Sequence, residues 1–455
     1  MKSKLNIDEL IFKNNFNKIK NYIGGYKNFV KLNKNKIQIN YFEKKFTISG
    51  KSEFFIDQNF KNLMNFKIIK NKNKTLFEGL LNLENLDLKI SEIGYEKMKS
   101  DKAFLKIKGF ETNKKIFLEN INYTESKNEI DIKNLEIKNN KIFNIHKIKF
   151  NYLTKNNFKN NITLSKYKNN YNLEGKSFDA TQLIEKMSSS ESENNFFEVF
   201  TNLNTKIKIF VENVMLDNQN TINTLQGNLE VKNNEIFDLK LNSNFSKNEK
   251  IFVSIKTQKN NSVITTFYSD RAEPFVKKYK FIKGFEGGNL DFTSIKINNI
   301  SKSKLIIDNF KVQEVPVLAK ILTLASLQGI ADILTGEGVR FTDFEMVYSK
   351  KENLTTIDEI YAIGPAISIL MEGYVEEKKL VSLRGTLVPA TTINRSISSI
   401  PLIGDLLVGK KVGEGVFGVS FKIKGSPKNL KTTVNPIKTL TPRFITRTLE
   451  KIKKN

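Results

Sequence analysis

Along the first 270 residues, apolar and polar positions alternate in short runs: Ile37-Gln38-Ile39, Leu81-Asn82-Leu83, Leu86 to Ile90, Phe104 to Phe110, Ile130-Asp131-Ile132, Leu135-Glu136-Ile137, Lys206 to Val211 and Ile236 to Leu241. Successive side chains on a strand point to opposite faces, so each run predicts a strand with one greasy and one wet face. Asn- and Lys-rich turns join them. Helical patterning is rare there, confined to Asp8 to Phe29 and Asp179 to Leu203, the latter broken by the cluster Ser188 to Glu193. A greasy face needs a cover. Two sheets packed as a sandwich supply one, and so does a single long sheet curled into a trough that holds lipid tails; both give the same alternation.

Near residue 270 the chain changes character, because all eight prolines lie between Pro274 and Pro442 and 15 of the 23 glycines at or after Gly284. Strands continue beyond it. Val381, Leu383, Gly385 and Leu387 alternate with polar residues, as do Phe417, Val419, Phe421 and Ile423, which places each set on one face of its strand. Leu383, Leu387, Phe417, Val419, Phe421 and Ile423 are therefore candidates for lining a groove or core.

Three helices are predicted in this region. The most apolar stretch of the chain, Val315 to Leu334, is long enough to span a bilayer, but Lys320, Gln328 and Asp332 inside it favour a buried or interfacial helix. Its Val317, Leu318, Ile321, Leu322 and Leu324 are expected to close one end of the sheet. A short helix is predicted over 400–408, opening at Pro401. Thr441-Pro442 then begins a basic amphipathic helix, 442–454, with Phe444, Ile445, Leu449 and Ile452 on one face and Arg443, Arg447, Lys451 and Lys454 on another. Arg443, Phe444, Arg447, Lys451 and Lys454 are the membrane-surface candidates.

Composition narrows the chemistry. The chain of 455 residues has no Cys, no Trp and one His, which excludes disulfides, thiolate metal sites, cysteine nucleophiles and any multi-histidine centre. A net charge of +26 suggests nucleic acid, yet only six of the 74 cations are Arg (Arg271, Arg340, Arg384, Arg395, Arg443, Arg447). Arg is the residue whose planar fork grips phosphates and guanine edges, whereas a Lys, Asn, Ile and Phe surplus is what AT-biased coding produces. Basic density is high only at residues 422–455, with ten cations and one anion, as in a surface-docking tail. The opening MKSKLNIDELIFKNN reads as neither signal nor span.

Catalytic motifs are weak. Gly413-x-Gly415-x-x-Gly418 matches a dinucleotide fingerprint in letters, but a strand follows it where the pyrophosphate needs a helix N-terminus. Asp358-Glu359 and Glu376-Glu377 read as solvated turns, and His146 as a polar tooth of a strand. No enzyme, metal or cofactor is proposed from these residues.

The C-terminal third carries a resemblance. Gly338 to Phe344, Leu383 to Ala390, Ile400 to Gly409, Gly415 to Val419 and Val434-Asn435-Pro436 closely resemble the C-terminal region of AsmA-like proteins, large proteins of the Gram-negative envelope. The match covers residues 305–445. It implies a mainly β protein: a long curled, trough-like antiparallel sheet with a few capping helices near the C-terminus, 1–270 forming a repetitive β-rich groove segment and 271–455 the AsmA-like region. It further implies a non-enzymatic bridge in the periplasm. Phospholipids pass along it between the inner and outer membranes, in contact with membrane surface, and an inner-membrane anchor protein and an outer-membrane partner are the expected proteins; nucleic acid is not. Family members usually begin with a transmembrane anchor, which this chain lacks, so it is expected to be a piece of a longer protein or to borrow its anchor. A structural or adhesive β-protein and a basic binder of anionic surfaces are the competing classes.

Overall fold

The computed structural model describes residues 1–13, 22–24, 29–56, 60–112, 115–188, 197–246, 248–276, 283–314, 316–324, 338–389, 418–427 and 429–437. The protein is mainly β: twenty-four strands belong to one long mixed sheet, two more form a small hairpin, and the described helices are few and short. Two compact units, Met1–Lys247 and Asn248–Asn455, divide the chain two strands before the change in composition near residue 270.

The first unit runs β1 (Lys2–Lys13), β2 (Phe29–Phe42), β3 (Lys45–Phe55), β4 (Asn62–Lys70), β5 (Thr75–Asn82), β6 (Leu88–Ile90), β7 (Tyr95–Lys97), β8 (Ala103–Thr112), β9 (Lys115–Glu125), β10 (Asn128–Lys138), β11 (Lys141–Leu153), β12 (Lys159–Tyr167), β13 (Asn170–Asp179), α1 (Thr181–Ser188), β14 (Thr205–Met215), β15 (Thr221–Lys232) and β16 (Glu235–Asn244). From β1 to β13 each strand of the large sheet pairs antiparallel with the next, β5 meeting β8 across the inserted β6–β7 hairpin. β14 then lies parallel to β13 after a crossover that holds α1, so the sheet is mixed rather than wholly antiparallel as the sequence predicts. The polar turns have a physical reason. Glu43-Lys44, Asn139-Asn140 and Asn233-Asn234 each put two residues at positive φ, the tight hairpin geometry whose twist matches the strands and which Asn tolerates best.

Two helical expectations change here. Asp8 to Lys13 is the second half of β1, with Leu10 opposite Leu32 and Phe12 opposite Val30, so strand pairing overrides the helix-like spacing of its apolar residues. In the 179–203 stretch the described helix is only α1.

The second unit runs β17 (Lys250–Thr257), β18 (Val263–Ser269), α2 (Glu273–Val276), β19 (Lys283–Ile297), β20 (Ile300–Glu314), α3 (Pro316–Leu324), β21 (Val339–Lys351), β22 (Leu354–Ile363), β23 (Ile367–Glu376), β24 (Leu380–Pro389), β25 (Gly418–Ser426) and β26 (Asn429–Ile437). It is an antiparallel meander throughout. α3 follows β20 directly yet packs against β26, six places away in the meander. Six strand spacings are about 29 Å on a flat sheet, whereas a nine-residue helix is about 13 Å long. The sheet of this unit must therefore curl around α3. The predicted helix over 315–334 is realised as α3, its residues 325–334 lying outside the described residues, as do the predicted helices 400–408 and 442–454.

Candidate functional site

Register turns the alternation of the first unit into continuous surfaces. One row of directly paired positions crosses all fourteen of its large-sheet strands: Leu5, Ile37, Gly50, Phe66, Gly79, Ile107, Ile121, Ile132, Ile148, Leu164, Leu173, Ile209, Gly227 and Leu241. Every member is apolar or glycine. The neighbouring row, one residue along and on the opposite face, reads Lys4, Gln38, Ser49, Lys67, Glu78, Lys108, Asn120, Lys133, Lys147, Ser165, Asn172, Lys208, Asn228 and Lys240, all of them polar. The unit thus has one apolar and one wet face.

Exposure distinguishes this apolar face from a core. None of the fourteen residues in its row is buried; Leu5 is exposed and the rest are half-buried. Glycines contribute to its form. At Gly227 an added Cβ would lie 1.9 Å from the Lys240 carbonyl oxygen, so the backbones approach more closely than any side chain allows.

Part of one long margin of this face is closed. The β6–β7 hairpin and the 3-10 turn Ser91–Ile93 cover the strand ends there, burying Leu83, Leu86 and Tyr95 against Leu32, Phe54, Ala103, Tyr123 and Tyr152. Polar groups inside this cap are satisfied. Tyr95 donates to the Glu125 carboxylate and its hydroxyl lies 2.6 Å from that of Tyr123, while Tyr152 donates to the Ile93 carbonyl. Burial above all pushes the Tyr95, Tyr123 and Tyr152 phenols well above their ordinary value, and for Tyr95 the hydrogen bond to Glu125 adds to it. Lys97, 1% exposed, donates to the carbonyls of Glu84, Leu86 and Met98 at 3.1, 2.9 and 2.8 Å. Burial lowers its pKa, with Asp101 and Glu125 acting against the shift.

The opposite margin consists of the turns β2–β3, β4–β5, β8–β9, β10–β11, β12–β13 and β15–β16, which the up-and-down order brings to one end. Aromatic side chains stand out there: Phe42 is 72%, Phe143 52% and Tyr167 64% exposed. Lysines lie among them, with Lys74 Nζ 3.5 Å from the centre of the Phe110 ring and Lys232 Nζ 3.3 Å from that of Phe237.

The residues singled out from the sequence lie in the second unit, in different surroundings. Leu387, Val419, Phe421 and Ile423 share one face as the alternation predicts, Leu387 pairing Val419 and Leu383 pairing Ile423. They pack in a core with Ile321 and Leu322 of α3, both fully buried, and with Leu383 and Leu318 half-buried at its margin. These side chains fill a curled sheet rather than line an open one. Phe417 and the basic segment with Arg443, Phe444, Arg447, Lys451 and Lys454 lie outside the described residues; of Val317 and Leu324 only the helical backbone is described.

The weaker motifs are placed as follows. Gly418 opens strand β25. Asp358-Glu359 sits at a bulge within β22, with Glu359 buried, rather than in a solvated turn, while Glu376 ends β23 and pairs with Lys379 at 2.6 Å. His146 is exposed on β11. Among the described residues no group of three or more acidic or histidine side chains is placed to hold a metal, and no helix is long and apolar enough to cross a membrane. Sequence reasoning missed the fourteen-strand row because register between strands is invisible in any single run. Its signal was the parity of Ile37, Ile107, Ile132 and Ile209 within runs already recognised as strands. The chain matches no family model and no curated protein.

Proposed function

We propose that this chain is a non-enzymatic lipid carrier of the bacterial envelope, which shields phospholipid acyl chains on the apolar face of its first unit as they pass between membranes. The observation that carries the reading is the uninterrupted apolar row across fourteen strands whose side chains stay half-exposed. A packed structural protein has no use for such a face, because apolar area left in water forgoes roughly 25 cal/mol per Å². An acyl chain laid on it is removed from water at about 0.8 kcal/mol per methylene, so a dozen methylenes offset roughly 10 kcal/mol. A row without a polar interruption lets a tail slide from strand to strand with no step that exposes it.

The envelope setting, with an inner-membrane anchor protein and an outer-membrane partner, rests on the resemblance of residues 305–445 to AsmA-like proteins. The test is extraction and mass spectrometry of the chain purified without detergent. Co-purified phospholipid at one or more molecules per chain is the expected result. A lipid-free chain that also takes none from vesicles would sink the proposal.

A further inference from the structure

The two long margins of the first unit's apolar face differ in a way that says which lipids it takes. At the capped margin Leu86, Tyr95 and Tyr152 cover the ends of the strands from β2 to β11. Several charges there are matched, Lys99 lying 3.6 Å from Asp87, Lys61 3.6 Å from Glu53 and Lys89 2.7 Å from Glu96, whereas exposed Lys102 and Lys127 form no ion pair among the described residues. At the turn margin Lys115 pairs with Glu136 and Lys232 with Glu230, and a further set of lysines stands beside them. Exposed Lys44, Lys72, Lys141 and Lys168 project from four different turns, and among the described residues none of them forms an ion pair. Exposed Phe42, Phe143 and Tyr167 stand beside them, the pairing of ring and cation found where protein meets a lipid headgroup region.

Distances along the strands fit a lipid placed with its headgroup at this margin. Leu164 and Leu173 of the apolar row each lie four residues from the turn residues Lys168 and Asn169, about 13 Å at 3.3 Å per residue. One leaflet of a bilayer core of about 30 Å allots roughly 15 Å to each tail. A tail entering at the β12–β13 turn therefore reaches the apolar row while its phosphate stays level with Lys168.

We propose that the first unit selects anionic phospholipids, their phosphate-bearing headgroups held by the lysines of the turn margin while their tails lie on the apolar face. This rests on the carrier reading and adds a headgroup preference to it. The whole chain is offered donor vesicles containing fluorescent phosphatidylglycerol and phosphatidylcholine with identical tails, and uptake of each is measured. Phosphatidylglycerol should be favoured about fivefold at low salt, as one lysine contact to an anionic headgroup gives, and the preference should shrink at high salt. The joint substitutions K44Q, K72Q, K141Q and K168Q should bring the ratio close to one. The same charge loss on the wet face, K4Q, K67Q, K208Q and K240Q, should leave the ratio as it is, and millimolar inorganic phosphate should not displace the bound lipid.

Uptake of both lipids at a ratio near one, or equal effects of the two sets of substitutions, overturns the headgroup inference and leaves the carrier reading intact. Displacement by inorganic phosphate overturns it too, by showing a general anion site. So does a loss of anionic-vesicle binding by the turn variant with its uptake ratio preserved, since the lysines would then meet a membrane surface instead. Failure to take up either lipid removes the carrier reading and this inference with it.

Discussion

Phe421 and Ser420 are chain neighbours with opposite surroundings: Phe421 is 3% exposed in the core around α3, whereas Ser420 is half-buried on the other face, directly paired with Thr386. Phe421→Asp should cost several kcal/mol by placing a carboxylate among Leu383, Val419 and Ile423, while Ser420→Asp should change stability by about 0.5 kcal/mol or less. Denaturant midpoints compare the two, and equal losses would contradict the assigned facing. The alternation made this pair legible in the sequence, but not whether Phe421 meets lipid or protein, because its neighbours Ile321 and Leu322 arrive from a helix about a hundred residues earlier. The cap was illegible for a similar reason: Tyr95, Tyr123 and Glu125 are brought together by an insertion whose strands are three residues each. Its tyrosines carry a pH signature. Their folded pKa values exceed the ordinary 10.0, so their contribution to stability is whole below that pH and is lost as pH rises through the raised values. Alkaline unfolding followed by phenolate absorbance should show a late fraction, diminished in Tyr123→Phe; titration of all tyrosines near 10 in the folded protein would refute the buried cluster.

Strand glycines of the first unit do not all have the same role. Gly227→Val would force a side chain into the Lys240 carbonyl, at a cost of about 2 kcal/mol or more, whereas an added Cβ at Gly79 meets only Leu81 Cδ1 at 3.5 Å. Gly79→Ala should therefore be neutral or stabilise by up to about 1 kcal/mol. Thermal unfolding of the two variants distinguishes a close backbone approach at Gly227 from a position that merely tolerates glycine. In α3 the contrast is between Leu322, fully buried, and Lys320, exposed: Leu322→Ala should lose about 2–5 kcal/mol and Lys320→Ala almost nothing. That helix was legible in the sequence because its apolar run exceeds anything a half-wet strand requires. Asp8 to Lys13 misled for the opposite reason, since Leu10, Ile11 and Phe12 occur together and only the pairing of Leu10 with Leu32 shows which of them faces inward.

Across the molecule, the carrier reading predicts that function and stability separate. Ile132 and Leu164 belong to the half-exposed row, on β10 and β12, with β11 between them. Changing both to Asn should abolish most lipid uptake while lowering stability by no more than about 2 kcal/mol, because little buried area is lost. A double variant that unfolds, or one that keeps its full lipid load, would count against an open face at these positions. The two-faced sheet was legible in the sequence, and its openness was not, since half-buried and fully buried strands share one alternation.

The parallel step from β13 to β14 constrains how such a chain can change length over evolutionary time. In an up-and-down meander every added strand reverses the direction of all that follow, so copying a single strand would carry the lysine turns after it to the capped side. Copying a hairpin, for example Asn128 to Leu153, restores the direction and lengthens the sheet by two spacings, about 9.5 Å. Tandem duplication within the gene can therefore proceed in pairs of strands without scrambling the two margins. Among the described strands of this unit, the crossover holding α1 is the one place where that phase is already shifted by a strand. At such a parallel step two meanders of independent length can be joined with both sets of turns still facing the same way.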